Sequence, residues 1–302
     1  MPQQSKKSGY ISIVGKTNVG KSTLLNEILG QKISITSRKP QTTRHRLLGV
    51  KTIKDSQMIF IDTPGFHKNY KRALNRYMNK VASNAMTGVD VLIYVIDSLE
   101  WTKEDQDITN KMIDGYRNSI LAINKIDKIK NKEELLPFIE SISKLKKFSD
   151  IIPISALKNQ NILSLIDSIL IKLPGGNHVY PEDQVADISE RFLASEIIRE
   201  KCITRVGDEL PYRISVSIDK FKEENNVTHI DATLFVEKKS QKGMLIGSSG
   251  NKLKSIGTAS RLELEDIFET KVMLNLWVKV KSGWTDNEAM LSTMGYDLGK
   301  SS

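Results

Sequence analysis

The 302-residue sequence predicts two modules in tandem: an α/β one with an open, mostly parallel sheet and helices packed on it, then a smaller α+β domain. Two observations predict this. Short apolar, β-prone runs recur along the first half (Tyr10–Val14, Met58–Ile61, Ser119–Ile123 and Ile151–Ile154), as buried parallel strands do. After a breaker cluster, Lys172-Leu173-Pro174-Gly175-Gly176-Asn177, the order becomes helix, strand, strand, helix, helix, strand.

The first strand, Tyr10-Ile11-Ser12-Ile13-Val14, runs into Gly15-Lys16-Thr17-Asn18-Val19-Gly20-Lys21-Ser22, and Ser22–Leu29 reads as the helix that follows. This is a complete G-x-x-x-x-G-K-S phosphate-binding loop in its proper strand–turn–helix setting. Gly15 and Gly20 admit backbone conformations that turn successive N–H groups toward phosphate oxygens, and the helix N-terminus adds partial positive charge. Lys21 is expected at the β- and γ-phosphates, and the Ser22 hydroxyl on Mg²⁺.

The second strand, Met58–Ile61, ends at Asp62-Thr63-Pro64-Gly65. Ligands of parallel sheets bind at the carboxyl ends of strands, which places Asp62 to hold Mg²⁺ through water. Gly65 is expected to sense the γ-phosphate through its N–H and to pass its loss to the next segment. Between these motifs lies Arg38-Lys39-Pro40-Gln41-Thr42-Thr43-Arg44-His45-Arg46, polar and Pro-containing, read as a first switch loop. One of its hydroxyls completes the Mg²⁺ shell: Thr43 is preferred, with Thr42 the alternative.

Two further loops select the base. Asn124-Lys125-Ile126-Asp127 follows the strand Ser119–Ile123, and Ser155-Ala156-Leu157 follows Ile151–Ile154. The Asp127 carboxylate can accept from the N1–H and 2-amino group of guanine, a donor pair adenine lacks, so the wrong base leaves an unpaired acceptor. The Lys125 stem is expected to cover the base face, Asn124 to tie its loop to the phosphate loop, and a backbone N–H near Ser155-Ala156 to meet guanine O6. The set points to a guanine nucleotide that is hydrolysed and acts as a switch.

The hydrolytic apparatus reads as incomplete. Where Ras-like GTPases carry a water-orienting Gln, this chain has Phe66, whose ring cannot orient water. His67 follows, as a catalytic His or a surface one. Slow intrinsic turnover is expected.

Composition bounds the remaining classes. Hydrophobic residues make up 39 % and charged residues 27 %, a globular balance. Cys202 is the single cysteine, so an intrachain disulfide is excluded and a reducing cytoplasm is expected. No stretch approaches the roughly 20 apolar residues of a membrane span. Met1–Ser8 carries two lysines with no apolar run behind them, which does not read as a signal peptide. The net charge of +9 invites a nucleic-acid partner. Its distribution is uneven: residues 181–302 hold 17 Lys and Arg against 20 Asp and Glu. The local pattern is more telling, since Lys238–Arg261 has six basic residues and no acidic one.

In the second half, apolar residues at helical spacing (Ile188, Phe192, Ile197, Ile198) predict a helix over Ile188–Thr204. Pro211–Ile218 and Val227–Val236 read as strands, the second with Thr228, Ile230, Ala232, Leu234 and Val236 on one face. Leu253–Phe268 reads as a helix and Lys271–Lys281 as a third strand. Before the long helix stands Ile246-Gly247-Ser248-Ser249-Gly250-Asn251-Lys252-Leu253-Lys254, a G-x-x-G turn followed by two lysines. Its two glycines let an RNA backbone approach closely, the way KH domains clamp about four nucleotides of single-stranded RNA.

These motifs together resemble the Era family of bacterial GTPases, over about residues 8 to 297. The resemblance rests on the Gln41–Arg46 switch, Asp62-Thr63-Pro64-Gly65-Phe66-His67, the Gly247–Gly250 turn, and Ser282-Gly283-Trp284 before a short helix ending near Gly295-Tyr296. It implies an α/β P-loop GTPase domain over 8–173, a linker over 174–186, and an α+β type II KH domain with a C-terminal helix over 187–302. It implies a GTPase using GTP, GDP and Mg²⁺. It further implies binding to the 3′ end of small-subunit ribosomal RNA, a role in assembling the 30S subunit, peripheral association with the inner face of the membrane, and a monomer. In potassium-stimulated GTPases similar to this chain, an Asn at the position of Asn18 helps hold K⁺; otherwise Asn18 only shapes the loop. The family turn often carries a basic residue between its glycines, where this chain has Ser248 and Ser249. The competing class is a non-enzymatic RNA-assembly scaffold with the nucleotide as a structural ligand.

Overall fold

A computed structural model describes residues 6–37, 39, 42–66, 72–113, 116–206, 213–293 and 296. Two compact units result: one built on the first six strands and ending at Asp187, the other running from Ile188, with the described residues of Ser37–Thr42 and Asn69–Tyr77, and so the start of the second helix, also belonging to it.

The first unit is a six-stranded sheet of order β2-β3-β1-β4-β5-β6, formed by β1 (Lys7–Val14), β2 (Leu47–Ile53), β3 (Ser56–Asp62), β4 (Val91–Asp97), β5 (Ser119–Asn124) and β6 (Asp150–Pro153). All neighbours are parallel except β2 with β3. Val91–Ile96 and Ile120–Ile123 are almost wholly buried, as strands covered on both faces must be. The helices are α1 (Lys21–Leu29), α2 (Ala73–Asn84), α3 (Lys103–Met112), α4 (Leu135–Ser143) and α5 (Ile162–Lys172). Thr102 and Asp105 start α3 with a reciprocal capping box. Leu165 and Ile169, four apart on α5, are fully buried.

The Pro174–Asp187 segment is stitched to this unit. The amide of Gln57, fully buried, accepts from Val179 N (2.8 Å) and Tyr180 N (2.9 Å) and donates to the Tyr180 carbonyl (2.8 Å). Val50 N donates to the Val185 carbonyl (2.7 Å) and Asp187 N to that of Leu48 (3.2 Å). The expected linker is therefore a strap that satisfies backbone groups of the edge strand β2.

The second unit follows the expected order: α6 (Glu190–Arg205), β7 (Ser215–Glu224), β8 (Val227–Val236), α7 (Lys239–Ile246), α8 (Asn251–Phe268), β9 (Lys271–Val280) and a short α9 (Glu288–Thr293). The sheet order is β7-β8-β9, antiparallel and then parallel. Asn225 and Asn226, both at positive φ, close the β7–β8 hairpin. Ile197, Ile198 and Cys202 of α6 and Ile256 and Leu264 of α8 pack on Ile230, Ala232, Leu234 and Val236, the face expected from their alternation.

β7 departs from its expected bounds. It begins at Ser215 and continues to Glu224, because Lys220, Lys222 and Glu224 lie on the face away from the core while Phe221 between them packs against it. Pro211 and Tyr212 lie outside the described residues, as do Arg38, Pro40, Gln41, His67 and Gly295. Trp284 is fully buried and stacks on Tyr296, with ring centroids 6.1 Å apart.

Candidate functional site

The phosphate loop is built by bonds that reach it from other elements. Lys21, buried at the start of α1, donates from Nζ to the Gly15 (3.1 Å) and Lys16 (2.7 Å) carbonyls, closing the loop around its own ammonium. Burial pushes that ammonium down to about 8, against the opposing pull of Asp62. Asn124 Nδ2 donates to the Val19 carbonyl (2.8 Å), while its Oδ1 accepts from Ala156 N (3.0 Å). One side chain thus ties together the phosphate loop and both base-recognition loops.

Lys125 donates from Nζ to the Asn18 carbonyl (2.6 Å) and pairs with Asp97 (2.5 Å). Its stem therefore bridges from its own loop to the phosphate loop. Asp127 is exposed, and one of its oxygens accepts from the Ser155 hydroxyl at 2.5 Å. The carboxylate expected to be buried by its base is solvent-facing in the protein alone and held by a neighbour. Leu157 is exposed, and Ile126 packs at the edge of an apolar cluster.

Three oxygens converge beside Lys21. The Ser22 hydroxyl lies 2.7 Å from Thr43 Oγ1 and donates to Asp62 Oδ2 at 2.9 Å. Thr42 is not part of this group; its hydroxyl donates to the Lys39 carbonyl (2.7 Å). Asp62 is fully buried, and its Oδ1 has no hydrogen-bond partner among the described residues. Burial raises its pKa, while Lys21, Ser22 and Ser34 oppose the shift. A buried carboxylate with an orphan oxygen beside two hydroxyls is a donor set for a hard cation, so these residues fit Mg²⁺.

The start of the second switch is locked onto the phosphate loop. A Cβ on Gly65 would fall 2.8 Å from the Thr17 backbone nitrogen, so only glycine lets these segments meet. Phe66 N donates to the Gly15 carbonyl (3.4 Å), Phe66 bridges Lys16, and its ring is buried with Val14, Leu92 and Tyr94. Phe66 therefore belongs to the core and can serve a nucleotide through its backbone alone. Thr63 donates from Oγ1 to the Ile13 carbonyl (3.0 Å), fixing Asp62-Thr63-Pro64 to β1.

Two contributors escaped the sequence. Ser34 donates to Asp62 Oδ2 at 2.9 Å, and no spacing rule marks it. The Lys16 ammonium reaches Asp105 Oδ2 (2.9 Å) and Thr102 Oγ1 (3.1 Å), and Tyr94 OH donates to the other oxygen of Asp105 (2.9 Å). The Thr102-x-x-Asp105 capping pattern was the legible signal.

In the second unit, Gly247 takes φ 74°, where a Cβ would fall 2.7 Å from that of Lys252. Ser249 and Gly250 are also left-handed, and α8 begins at Asn251. Gly247, Ser248 and Lys252 line one concavity with Arg205, Asn251 and Ser255. Arg205, absent from the sequence expectation, comes from the last turn of α6, its Nε 3.4 Å from Ser255 Oγ. Lys254 is exposed and does not line the concavity, two residues being about 200° around a helix. Ile246 packs against the core beneath the turn.

Comparison with known proteins matches both domains of the chain. The family described as "50S ribosome-binding GTPase" matches residues 10–125, and the KH domain family matches residues 209–285. The chain is 49 % identical to GTPase Era of Azotobacter vinelandii over 294 residues, covering 97 % of this chain and 98 % of the relative. It is 51 % identical to GTPase Era of Histophilus somni over 297 residues, covering 98 % and 99 %. Two crystal structures superpose on it with 40 % identity, covering 97 % of this chain and 100 % of each. One is a substituted Aquifex aeolicus Era bound to GDP and AlF4⁻ (TM-score 0.93); the other is Era with MgGDPNP and nucleotides 1506–1542 of 16S ribosomal RNA (TM-score 0.94). With the phosphate loop, the guanine loops and the G-x-x-G turn all present along a length these relatives share end to end, the chain belongs to the Era family of GTPases.

Proposed function

We propose that this GTPase is a GTP-controlled RNA-binding factor that holds the 3′ end of small-subunit ribosomal RNA and assists assembly of the 30S subunit. The observation that carries this reading is one chain holding a guanine-nucleotide site and a KH turn, as in the Era structure with MgGDPNP and a 16S RNA fragment. That fragment favours the small subunit over the 50S partner in the GTPase family's description. The division into 8–173, 174–186 and 187–302 follows the same reading, with 174–186 as the strap. No helix among the described residues is long and apolar enough to cross a membrane. A monomer in the cytoplasm, with peripheral association at the inner face of the membrane, completes the proposal.

In the nucleotide site, Lys21 and the loop N–H groups of Gly15–Ser22 hold the phosphates. Ser22 and Thr43 would hold Mg²⁺, with Asp62 acting through water, and the ion would supply positive charge to neutralise the phosphates. Gly65 offers its N–H to the γ-phosphate. Asp127 accepts from guanine, with Lys125 across the base face. The buried ring of Phe66 leaves the attacking water without a side-chain partner there, which supports slow turnover with K⁺ held at Asn18. The scaffold alternative does not fit membership in a GTPase family.

Hydrolysis should rise when sodium is replaced by potassium, and Asn18→Ala should lose that rise. Equal rates of the parent in the two salts would remove the cation. For the RNA half, Gly247→Asp with Gly250→Asp puts bulk and negative charge where the backbone must pass. Binding of a single-stranded 16S 3′-end oligonucleotide should be lost while GTP affinity is kept; retained RNA binding would refute the KH assignment.

A further inference from the structure

The helices α6 and α8 cover one face of the β7-β8-β9 sheet; the other face carries two aromatic rings and an excess of lysines. The register sets its rows. Thr233 pairs with Trp277, Phe235 with Lys279, and His229 with Met273, so these residues share the face opposite the core residues Val272 and Val278. Trp277 is 47 % exposed and Met273 52 %, unusual values for the largest apolar residues of a sheet. Phe235, on the neighbouring strand and one row along, has the Lys281 ammonium 5.7 Å from its ring centroid.

The charges on this face are unequally matched. Asp219 accepts from Thr233 Oγ1 (2.6 Å) and Asp231 from Asn275 Nδ2 (2.8 Å), so both carboxylates are already bonded within the sheet. Lys220, Lys279 and Lys281 form no ion pair with the described residues. The domain as a whole is slightly acidic, so this local surplus is not a by-product of composition.

We propose that this open sheet face is a second RNA-binding surface, separate from the G-x-x-G turn, on which bases of single-stranded RNA stack on Trp277 and Phe235 while Lys279 and Lys281 meet phosphates. An exposed indole on a sheet, with the half-buried Phe235 ring one row along, suits unpaired bases, because every base has a π-face and duplex bases are not available to stack. The lysines flanking the rings supply the complementary charge for a backbone running past them. An anionic lipid surface is less well matched. The exposed apolar side chains of this face, Met273 and Trp277, lie within β9 and not on a loop tip, and the carboxylates beside them are already bonded. This surface lies across the sheet from the helical layer that carries the turn, so an RNA longer than one KH footprint is its natural ligand.

The test measures affinities of the full chain for a uridine oligomer of about four nucleotides, one KH footprint, and for one of about twelve. The parent should bind the longer one more tightly. Trp277→Ala should lose about tenfold or more on the long oligomer and leave the short one unchanged. Lys279→Ser with Lys281→Ser should lower the salt slope for the long oligomer alone by about 1.4. Emission of Trp277, far more exposed than the fully buried Trp284, should quench with the long oligomer. Unchanged long-oligomer affinity in both variants would overturn the proposal. So would phosphatidylserine vesicles binding the parent and not Trp277→Ala while RNA binding stays intact, which would make the face a membrane surface. Failure of the KH assignment is distinguishable, since it removes binding of the short oligomer.

Discussion

Two glycine-framed turns that open helices do opposite jobs. The loop Gly15–Ser22 is held from outside by Asn124 and Lys125 and from within by Lys21. The turn Gly247–Gly250 has only local backbone bonds among the described residues, Gly247 N to the Gly243 carbonyl (2.9 Å) and Gly250 N to that of Gly247 (3.3 Å). The lysine of the first is buried with a lowered pKa; Lys252 of the second stands at a partly open surface. A loop that must fit one phosphate chain and stabilise a transition state is pre-organised by long-range bonds. A turn that accepts successive nucleotides of varied sequence needs room for a backbone more than a fixed mould.

This contrast predicts unequal sensitivity. The largest effect belongs to Lys21→Ala, which should cut single-turnover GTP hydrolysis at least a hundredfold by removing the charge at the transferring phosphoryl group. A rate within about fivefold of the parent would show that the loop backbone alone suffices. Asp127→Asn comes next: GTP affinity should fall by about a hundredfold or more, and xanthine nucleotides, whose C2 oxygen suits an amide donor, should be admitted. Competition between the two bases in one titration reads this directly. Asn124→Ala should cost about 1–3 kcal/mol in urea unfolding, since it leaves the Val19 carbonyl and Ala156 N–H unpaired in a buried site. The matched change in the other turn, Ser248→Ala, should stay within about 0.5 kcal/mol. Similar losses for the two would mean that the turns are equally pre-organised.

The smallest effect concerns Cys202, buried on α6 with its thiol pushed up to about 12 by burial. Alkylation needs the thiolate, so at pH 8 the folded protein should resist iodoacetamide, while the urea-unfolded chain, with an ordinary pKa near about 8.5, should react. The sign for stability follows. The neutral thiol favours the folded state fully below the ordinary pKa, and that contribution is lost as pH rises toward 12.

The same contrast explains what the sequence could show. Phosphate and base recognition use fixed spacings within single loops, so Gly15–Ser22, Asp62–Gly65 and Asn124–Asp127 are legible as strings. Bonds between loops are not. Ser34 on Asp62, Lys16 on Asp105, and Gln57 holding the 174–187 strap depend on residues 28, 89 and more than 120 positions apart. Alternation exposed the buried face of β8, but the second half of β7 was hidden because Lys220, Lys222 and Glu224 face away from the core. The sequence prefers Thr43 to Thr42 without showing their contacts; in the structure the Thr43 hydroxyl lies 2.7 Å from that of Ser22, while Thr42 bonds to the Lys39 carbonyl.

On the proposed function, the bound nucleotide controls RNA binding. Affinity of the full chain for the 16S 3′-end oligonucleotide, measured with a non-hydrolysable GTP analogue and again with GDP, tests it directly. Coupling between two sites in one chain is typically worth about 5–150-fold, so binding should be tighter by at least the lower value with the GTP analogue. Equal affinities in the two nucleotide states would contradict it.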